Sequence, residues 1–303
     1  MVALSTDTRD APAGEFRRMA AEAALRFAGC RVRVLFKKID STLRGRAAEE
    51  IQTAAEAFGC DAAVVTPAFP AMGRIVEGGH LRVSGASDFQ PIHLPSYFCA
   101  QGVACVYAAP GGVREALAAG ARYVSVDAAS DGDLDCVVRE VLAGGRKMLW
   151  AGSGGLAAAL ARVSCGAVPA PAGPPARAGA VLFCIGSDHA VTLEQQRRLV
   201  AERVQHVVLR IPRGQVPAAK LRELAGDAAA LLLSGGDTAS AVCHALGVRR
   251  IELRGEILPG IPWGVFRGGP LDGTPVATKS GGFGGPGALV AVADYFTEPR
   301  RRV

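Results

Sequence analysis

The sequence lacks the features that announce several common protein classes. Its eight cysteines, at 30, 60, 99, 105, 136, 165, 184 and 243, form no C-x-x-C pair and share no recurring spacing. That excludes a zinc ribbon or a disulfide framework and leaves reduced thiols in a cytoplasmic protein as the expectation. No apolar run is long enough for a membrane span: the most apolar window, Met148 to Ala161, is short and rich in glycine and alanine. The N-terminus carries acids where a secretory signal needs an apolar core, so neither export nor a membrane partner is expected. The pattern G-x-x-x-x-G-K-[ST] occurs nowhere, which excludes an ordinary P-loop protein. Lysine is scarce as well, with only five of the 34 basic residues, at 37, 38, 147, 220 and 279. The adjacent pair Lys37-Lys38 therefore stands out.

What is present reads as a globular protein, since half of the residues are apolar and 20% are charged. A length of 303 residues suits two domains. Glycine, at 38 residues, is nearly twice as common as usual and has no triplet period, so it belongs to turns and backbone-lined pockets. The net charge of +6 would suit an anionic ligand. Basic and acidic residues are interspersed, however, and the Arg300-Arg301-Arg302 tail is short, so no nucleic-acid partner is expected.

Hydrophobic periodicity sets out the architecture. Asp10 can cap a helix whose apolar positions Phe16, Met19, Ala20, Ala23, Ala24 and Phe27 run until Gly29. Arg31 to Phe36 alternates as a strand, a polar loop follows to Gly45, a helix runs to Phe58, and Asp61 to Thr66 is a short strand. After a Pro/Gly-rich stretch from Pro67 to Gly102, strands at 103–108, 122–127 and 146–151 alternate with helices at 112–119, 131–143 and 155–163. Residues 166–179, proline-rich and without periodicity, read as a linker with the boundary near 172. Beyond it come strands at 180–185, 205–211, 229–234, 249–254 and 274–279, and helices at 191–202, 217–225, 237–246 and 287–296. Such alternation predicts two α/β domains, 1–165 and 180–303, with mostly parallel sheets in three layers.

Ligands of such sheets sit beyond the carboxyl ends of strands. The loop Lys37-Lys38-Ile39-Asp40-Ser41-Thr42-Leu43-Arg44-Gly45 combines ammoniums, a carboxylate, hydroxyls and a guanidinium, a mixture that can clamp a small polyol acid. The same residues also describe a solvated turn capped by Ser41 or Thr42, and charge density alone does not separate the two. Thr66 to Arg74 reads as a stiff rim. His80 reads as a structural histidine entering a strand. The loop Gly152-Ser153-Gly154-Gly155-Leu156-Ala157 matches G-x-G-x-x-A, but the acid expected about 20 residues on is missing, so a small-residue turn for close packing is the better reading. Three loops in the second half are of one kind: Ile185-Gly186-Ser187-Asp188-His189, Ser234-Gly235-Gly236-Asp237-Thr238, and Lys279-Ser280-Gly281-Gly282-Phe283-Gly284-Gly285. Each offers glycine N–H groups and a hydroxyl, the equipment for holding phosphate.

As an ordered set these loops resemble the four-carbon acid sugar kinases. The resemblance is carried by KKIDSTLRG (37–45), PAFPAMGR (67–74), GGHLRV (78–83), GSGGLAAALA (152–161), GSDHAVTLEQ (186–195), SGGDTASAV (234–242), ILPGIPWG (257–264) and KSGGFGG (279–285). It implies an N-terminal domain for the sugar acid, a C-terminal domain for ATP, and an active-site cleft between them. The implied activity is transfer of a phosphoryl group from ATP, with Mg²⁺, to the terminal hydroxyl of threonate, erythronate or a 3-oxo-tetronate, a transferase of carbohydrate metabolism. Arg44 and Lys38 would hold the carboxylate, Asp40 and Ser41 the hydroxyls, and Asp40 would accept the proton of the attacking hydroxyl. Asp7 and Arg9 resemble a further segment lining that pocket. Ser187, Gly235, Gly236, Asp237, Thr238 and Gly281 match the ATP-contacting loops, and no separate protein-only metal site is implied. Against the family, the sequence shows no initial strand with an ADDLTGA-like turn, is short between Ser187 and Gly235, and has Gly282 in place of the usual asparagine. A non-catalytic relative that binds a sugar acid or nucleotide is the alternative, and a nicotinamide-dependent oxidoreductase using the Gly152 loop is a third reading. Homo-oligomerisation is left open.

Overall fold

In a computed structural model, which describes residues 4, 6, 8, 11–27, 29–30, 32–85, 88–165, 173–174, 177–202, 206–212 and 215–297, the chain divides into two compact units, Met1–Val168 and Pro169–Val303. Asp10, most of 166–179 and the Arg300–Arg302 tail lie outside the described residues.

The first unit runs α1 (Ala13–Phe27), β1 (Leu35–Lys38), α2 (Ala47–Ala57), β2 (Ala62–Thr66), β3 (Arg74–Glu77), β4 (His80–Val83), β5 (Ile92–His93), α3 (Leu94–Cys99), β6 (Val106–Ala108), α4 (Val113–Ala118), β7 (Tyr123–Val126), α5 (Asp131–Leu142), β8 (Met148–Gly152) and α6 (Gly154–Cys165). Its main sheet has the order β1-β8-β2-β7-β6, and every pair is parallel. β2 (AAVVT) and β8 (MLWAG) are buried at every position, as expected of unbroken apolar runs covered on both faces. α5 starts sharply because Ser130 and Asp133 form a reciprocal capping box.

Two expectations need correction here. The strand foreseen at 31–36 lies at 35–38, because the ladder with β8 runs from Leu35 opposite Leu149 to Lys38 opposite Gly152. Val32 and Val34, which made the alternation look earlier, are exposed. The stretch from 67 to 102 is also more than a loop, for it carries an antiparallel sheet, β3-β4-β5, and then α3. Its tight turn needs positive φ at two successive residues, 57° at Gly78 and 73° at Gly79, which the glycine pair supplies. Asp127, just after β7, accepts both turn amides, at 2.7 Å from Gly78 and 2.9 Å from Gly79, and so ties the insertion to the main sheet.

The second unit runs β9 (Val181–Ile185), α7 (Ala190–Ala201), β10 (His206–Arg210), α8 (Ala218–Gly226), β11 (Ala230–Ser234), α9 (Gly236–Ala245), β12 (Arg250–Leu258), β13 (Ile261–Arg267), β14 (Pro275–Lys279) and α10 (Ala288–Thr297). The order is β10-β9-β11-β14-β13-β12, parallel from β10 to β14 and antiparallel beyond. β11 shows why this is a three-layer unit. Ala230 and Leu232 pack in one core with Leu199 of α7 and Leu289 of α10, while Leu231 and Leu233 pack in another with Leu221 of α8 and Val242 of α9. β13 was not foreseen: Pro259 and Gly260 precede it, and Pro262 and Gly264 break up its apolar run. Edge strand β12 carries Arg250, Glu252, Arg254 and Glu256 at every second position and has two register shifts. Among the described residues no helix is long and apolar enough to cross a membrane. All eight cysteines are unpaired.

Candidate functional site

The register of the first sheet decides which loops meet. Lys38 and Thr66 both lie opposite Gly152, so the loops after β1, β8 and β2 leave the sheet side by side. Asp40 is the focus of the first loop. One of its oxygens accepts from the Thr42 amide at 2.9 Å and the Thr42 hydroxyl at 2.6 Å. The other accepts from Arg44 Nε at 3.1 Å and Nη2 at 2.7 Å. Burial by itself would raise the carboxyl's pKa, but the hydrogen bonds from Arg44 and Thr42 outweigh it and hold the group down at about 2. Arg74, at the end of the stiff second loop, is half-buried. Its pKa is lowered by burial and partly restored by the charge of Asp40, which places a second guanidinium within electrostatic reach of that carboxylate.

The lysine pair separates, as neighbours on a strand must. Lys37 forms an ion pair with Glu50 of α2, which also accepts from the Thr8 hydroxyl at 3.0 Å. Lys38 is exposed, and its Nζ lies 2.8 Å from the Ile39 carbonyl. Ser41 is half-buried beside Asp40. Asp7 and Arg9 lie outside the described residues. The loop is bent at Leu43, which is buried yet has φ of 57°, a left-handed conformation unusual for a bulky side chain. Guanidiniums, an ammonium, hydroxyls and a carboxylate thus share one edge, a set able to bind a hydroxy acid. Arg74 was read only as part of a rim; its place after a proline-stiffened loop was the available signal.

The Gly152 loop is filled by protein. A Cβ on Gly155 would lie 2.5 Å from the Ala68 carbonyl oxygen, and one on Gly152 would lie 2.8 Å from that of Thr66. Ser153 Oγ donates to the Ala68 carbonyl at 2.7 Å. Its glycines therefore serve close packing against the second loop, leaving no cradle for a dinucleotide. His80 is likewise engaged locally, with Nδ1 at 2.8 Å from the Gly78 carbonyl.

In the second unit Ser234 lies opposite both Ile185 and Lys279, so the three glycine loops emerge together from β9, β11 and β14. They touch. A Cβ on Gly281 would fall 2.2 Å from Ser187 Oγ, one on Gly186 would fall 2.1 Å from Thr238 Oγ1, and one on Gly235 would fall 3.1 Å from the same Thr238 atom. Gly236 and Asp237 open α9 and are exposed.

The last loop is held from beneath. Lys279, 3% exposed, directs its ammonium at the carbonyls of Ser280 (2.9 Å), Gly281 (2.9 Å) and Phe283 (3.2 Å). Gln195 Nε2 donates to the carbonyls of Phe283, Gly284 and Gly285 at 2.9–3.0 Å, and Thr192 donates to that of Gly281 at 2.7 Å. With the carbonyls drawn inward, the N–H groups of Gly281, Gly282, Gly284 and Gly285 have no acceptor among the described residues. Together with the first turn of α9 they are the kind of backbone donors that can bind an anion. Arg210, at the end of β10, pairs with Asp188 and donates to the Ser187 carbonyl at 3.3 Å. Thr192, Gln195 and Arg210 were not singled out from sequence, although the first two fall inside GSDHAVTLEQ. Among the described residues no group of three or more His, Cys, Asp or Glu could hold a metal ion by itself.

A family model described as a sugar-binding N-terminal domain matches residues 1–160, and one described as a nucleotide-binding C-terminal domain matches 214–289. A D-threonate kinase from Bordetella bronchiseptica is 33% identical over 360 aligned positions that take in 99% of this chain and 87% of that protein. The alignment is longer than the chain, so this sequence carries internal gaps relative to that kinase. A D-erythronate kinase from Heliobacterium modesticaldum is 27% identical, with 97% of this chain and 87% of that protein covered. A crystal structure from Salmonella typhimurium LT2 shares the fold, with a TM-score of 0.71 at 20% identity, covering 96% of this chain and 88% of that one.

Proposed function

The chain belongs to the four-carbon acid sugar kinases, and we propose that it transfers the γ-phosphoryl group of ATP to the terminal hydroxyl of a four-carbon sugar acid such as D-threonate or D-erythronate. The observation that carries this reading is the meeting of the three glycine loops, the last of which presents amides at Gly281, Gly282, Gly284 and Gly285 with no acceptor among the described residues, as suits the phosphates of a nucleotide. In this reading residues 1–165 bind the acid and 180–303 the nucleotide. Ser187, Gly235, Gly236, Thr238 and Gly281 contact ATP. Asp237, exposed in the first turn of α9, would be the carboxylate available to a Mg²⁺ ion arriving with the nucleotide, which would supply charge neutralisation during transfer.

Arg44, Arg74 and Lys38 take the acid's carboxylate, Ser41 and Asp40 take its hydroxyls, and Asp7 and Arg9 are further residues of the same pocket. The terminal oxygen attacks the γ-phosphorus, the bond to ADP breaks, and the hydroxyl proton leaves to Asp40. A carboxyl with a pKa of about 2 is a weak base. It suffices where the nucleophile's proton departs late, as in a loose phosphoryl-transfer transition state, so the main work of Asp40 is orientation. The protein works in the cytoplasm.

A coupled assay of ADP formation with D-threonate, D-erythronate and a 3-oxo-tetronate, with mass detection of the phosphorylated acid, tests the proposal. Turnover of at least one acid is expected. No phosphorylated product from any of the three overturns it.

A further inference from the structure

The loop that carries Asp40, Thr42 and Arg44 is held by the antiparallel insertion. α2 begins without a side-chain cap of its own, since Arg46 at its N-cap provides none. The orphaned amides of its first turn are nevertheless satisfied. Ala47 N–H donates to the Tyr97 hydroxyl at 3.0 Å, and Ala48 and Glu49 N–H donate to Gln101 Oε1 at 3.2 and 3.4 Å. Tyr97 lies in α3 and Gln101 just beyond it, some fifty residues from their partners.

The same hydroxyl faces the loop itself. Its oxygen lies 3.2 Å from the Leu43 carbonyl oxygen and 3.0 Å from that of Gly45, so its one proton donates to this pair of carbonyls. Those two residues bracket Arg44, and both have left-handed φ, 57° at Leu43 and 86° at Gly45. A glycine tolerates that conformation, whereas a leucine holds it only when its surroundings impose it. The chain contains no asparagine, the other residue that accepts it readily. One phenol therefore closes the bend that aims Arg44 at Asp40 and also fixes the start of the helix that follows.

We propose that the Tyr97 hydroxyl, supported by Gln101, is a positioning group for the sugar-acid loop. It sets the direction of Arg44 and Asp40 without touching the substrate. This rests on the reading that the loop binds the acid.

Tyr97→Phe removes only the hydroxyl and leaves the ring in place. The KM for D-threonate or D-erythronate is expected to rise at least fivefold while the KM for ATP stays within twofold. Gln101→Ala should act in the same direction, and Gln101→Glu, which keeps an acceptor for both amides, should restore the wild-type KM. In the full-length protein, trypsin cleavage between Arg44 and Gly45 should be at least fivefold faster in Tyr97→Phe at an unchanged thermal midpoint. Equal rises in both KM values together with a lowered midpoint would reduce Tyr97 to a general structural residue and overturn the proposal. So would an unchanged acid KM with unchanged cleavage. Should the wild-type protein phosphorylate none of the acids, the functional reading fails, and the cleavage rate decides the positioning role by itself.

Discussion

Burying the ammonium of Lys279 has a cost that depends on pH, and the structure sets its size. The side chain is 3% exposed and donates to three loop carbonyls, and no carboxylate among the described residues pairs with it. Burial lowers its pKa from 10.5 to about 8. In the unfolded chain the amine keeps its proton up to about pH 10.5, and in the folded chain only up to about pH 8. Between these values the unfolded state binds more protons, so stability rises with pH across that window, and below pH 8 the cost is borne in full. The shift corresponds to about 3 kcal/mol at roughly 1.4 kcal/mol per unit, of which about 2 kcal/mol is recovered by pH 9.5. Lys279→Met keeps an apolar stem of similar length and cannot titrate. The stability of wild type minus that of Lys279→Met should be flat from pH 6.5 to 7.5 and climb by about 2 kcal/mol by pH 9.5. Denaturant unfolding in a Trp150→Phe background reports the second unit alone through Trp263, which matters because two units need not unfold together. A difference that stays flat to pH 9.5, or falls, refutes the reasoning.

Gly281→Ala puts a methyl group 2.2 Å from Ser187 Oγ; calorimetry should show ATP binding weakened at least tenfold, and wild-type affinity would mean the three loops do not form one nucleotide edge. Asp40→Ala removes the acceptor of four hydrogen bonds and should lower kcat/KM for the sugar acid by about a hundredfold or more, roughly 3 kcal/mol of transition-state stabilisation; a loss below fivefold would remove Asp40 from the site. Gly155→Ala forces a Cβ to 2.5 Å from a backbone oxygen and should cost the first unit about 2–3 kcal/mol, read from Trp150 fluorescence; an unchanged midpoint would reopen the Gly152 loop as a place for a ligand.

The parts of the fold that could be read in advance are those whose burial is two-sided. β2, β8, β9 and β11 are short apolar runs between turn residues, and the helices between them keep a 3.6-residue stripe, so type and order follow from pattern. β13 was hidden because Pro262 and Gly264 interrupt it, the insertion sheet because its strands are only two to four residues long, and both because antiparallel partners supply hydrogen bonds that local pattern does not reveal. β1 slid by several residues for a related reason, since its limits are set by β8, more than a hundred positions away. The site divided in the same way. Glycine loops and the charge-rich loop are visible as composition, and the register then aligns them. Tyr97 and Gln195 matter through partners about fifty and ninety residues away, which no local pattern reveals, and Lys279 acts on the carbonyls of its own glycine loop, where composition shows a lysine but not that it is buried.

The outer edge of the second sheet has a consequence for solubility. β12 is long and only partly covered, and Leu253 on it is 62% exposed, so its free backbone groups could recruit a strand from another copy of the chain. The alternating row of Arg250, Glu252, Arg254 and Glu256 opposes that, because an incoming strand would have to strip water from each charge in turn. Glu252 is in addition drawn toward Arg254 and Arg267 of its own hairpin. The two register shifts twist the ribbon, so that no long flat stretch remains to template a partner. Alternating charge and irregular register on one strand thus act together against edge-to-edge pairing of an open sheet.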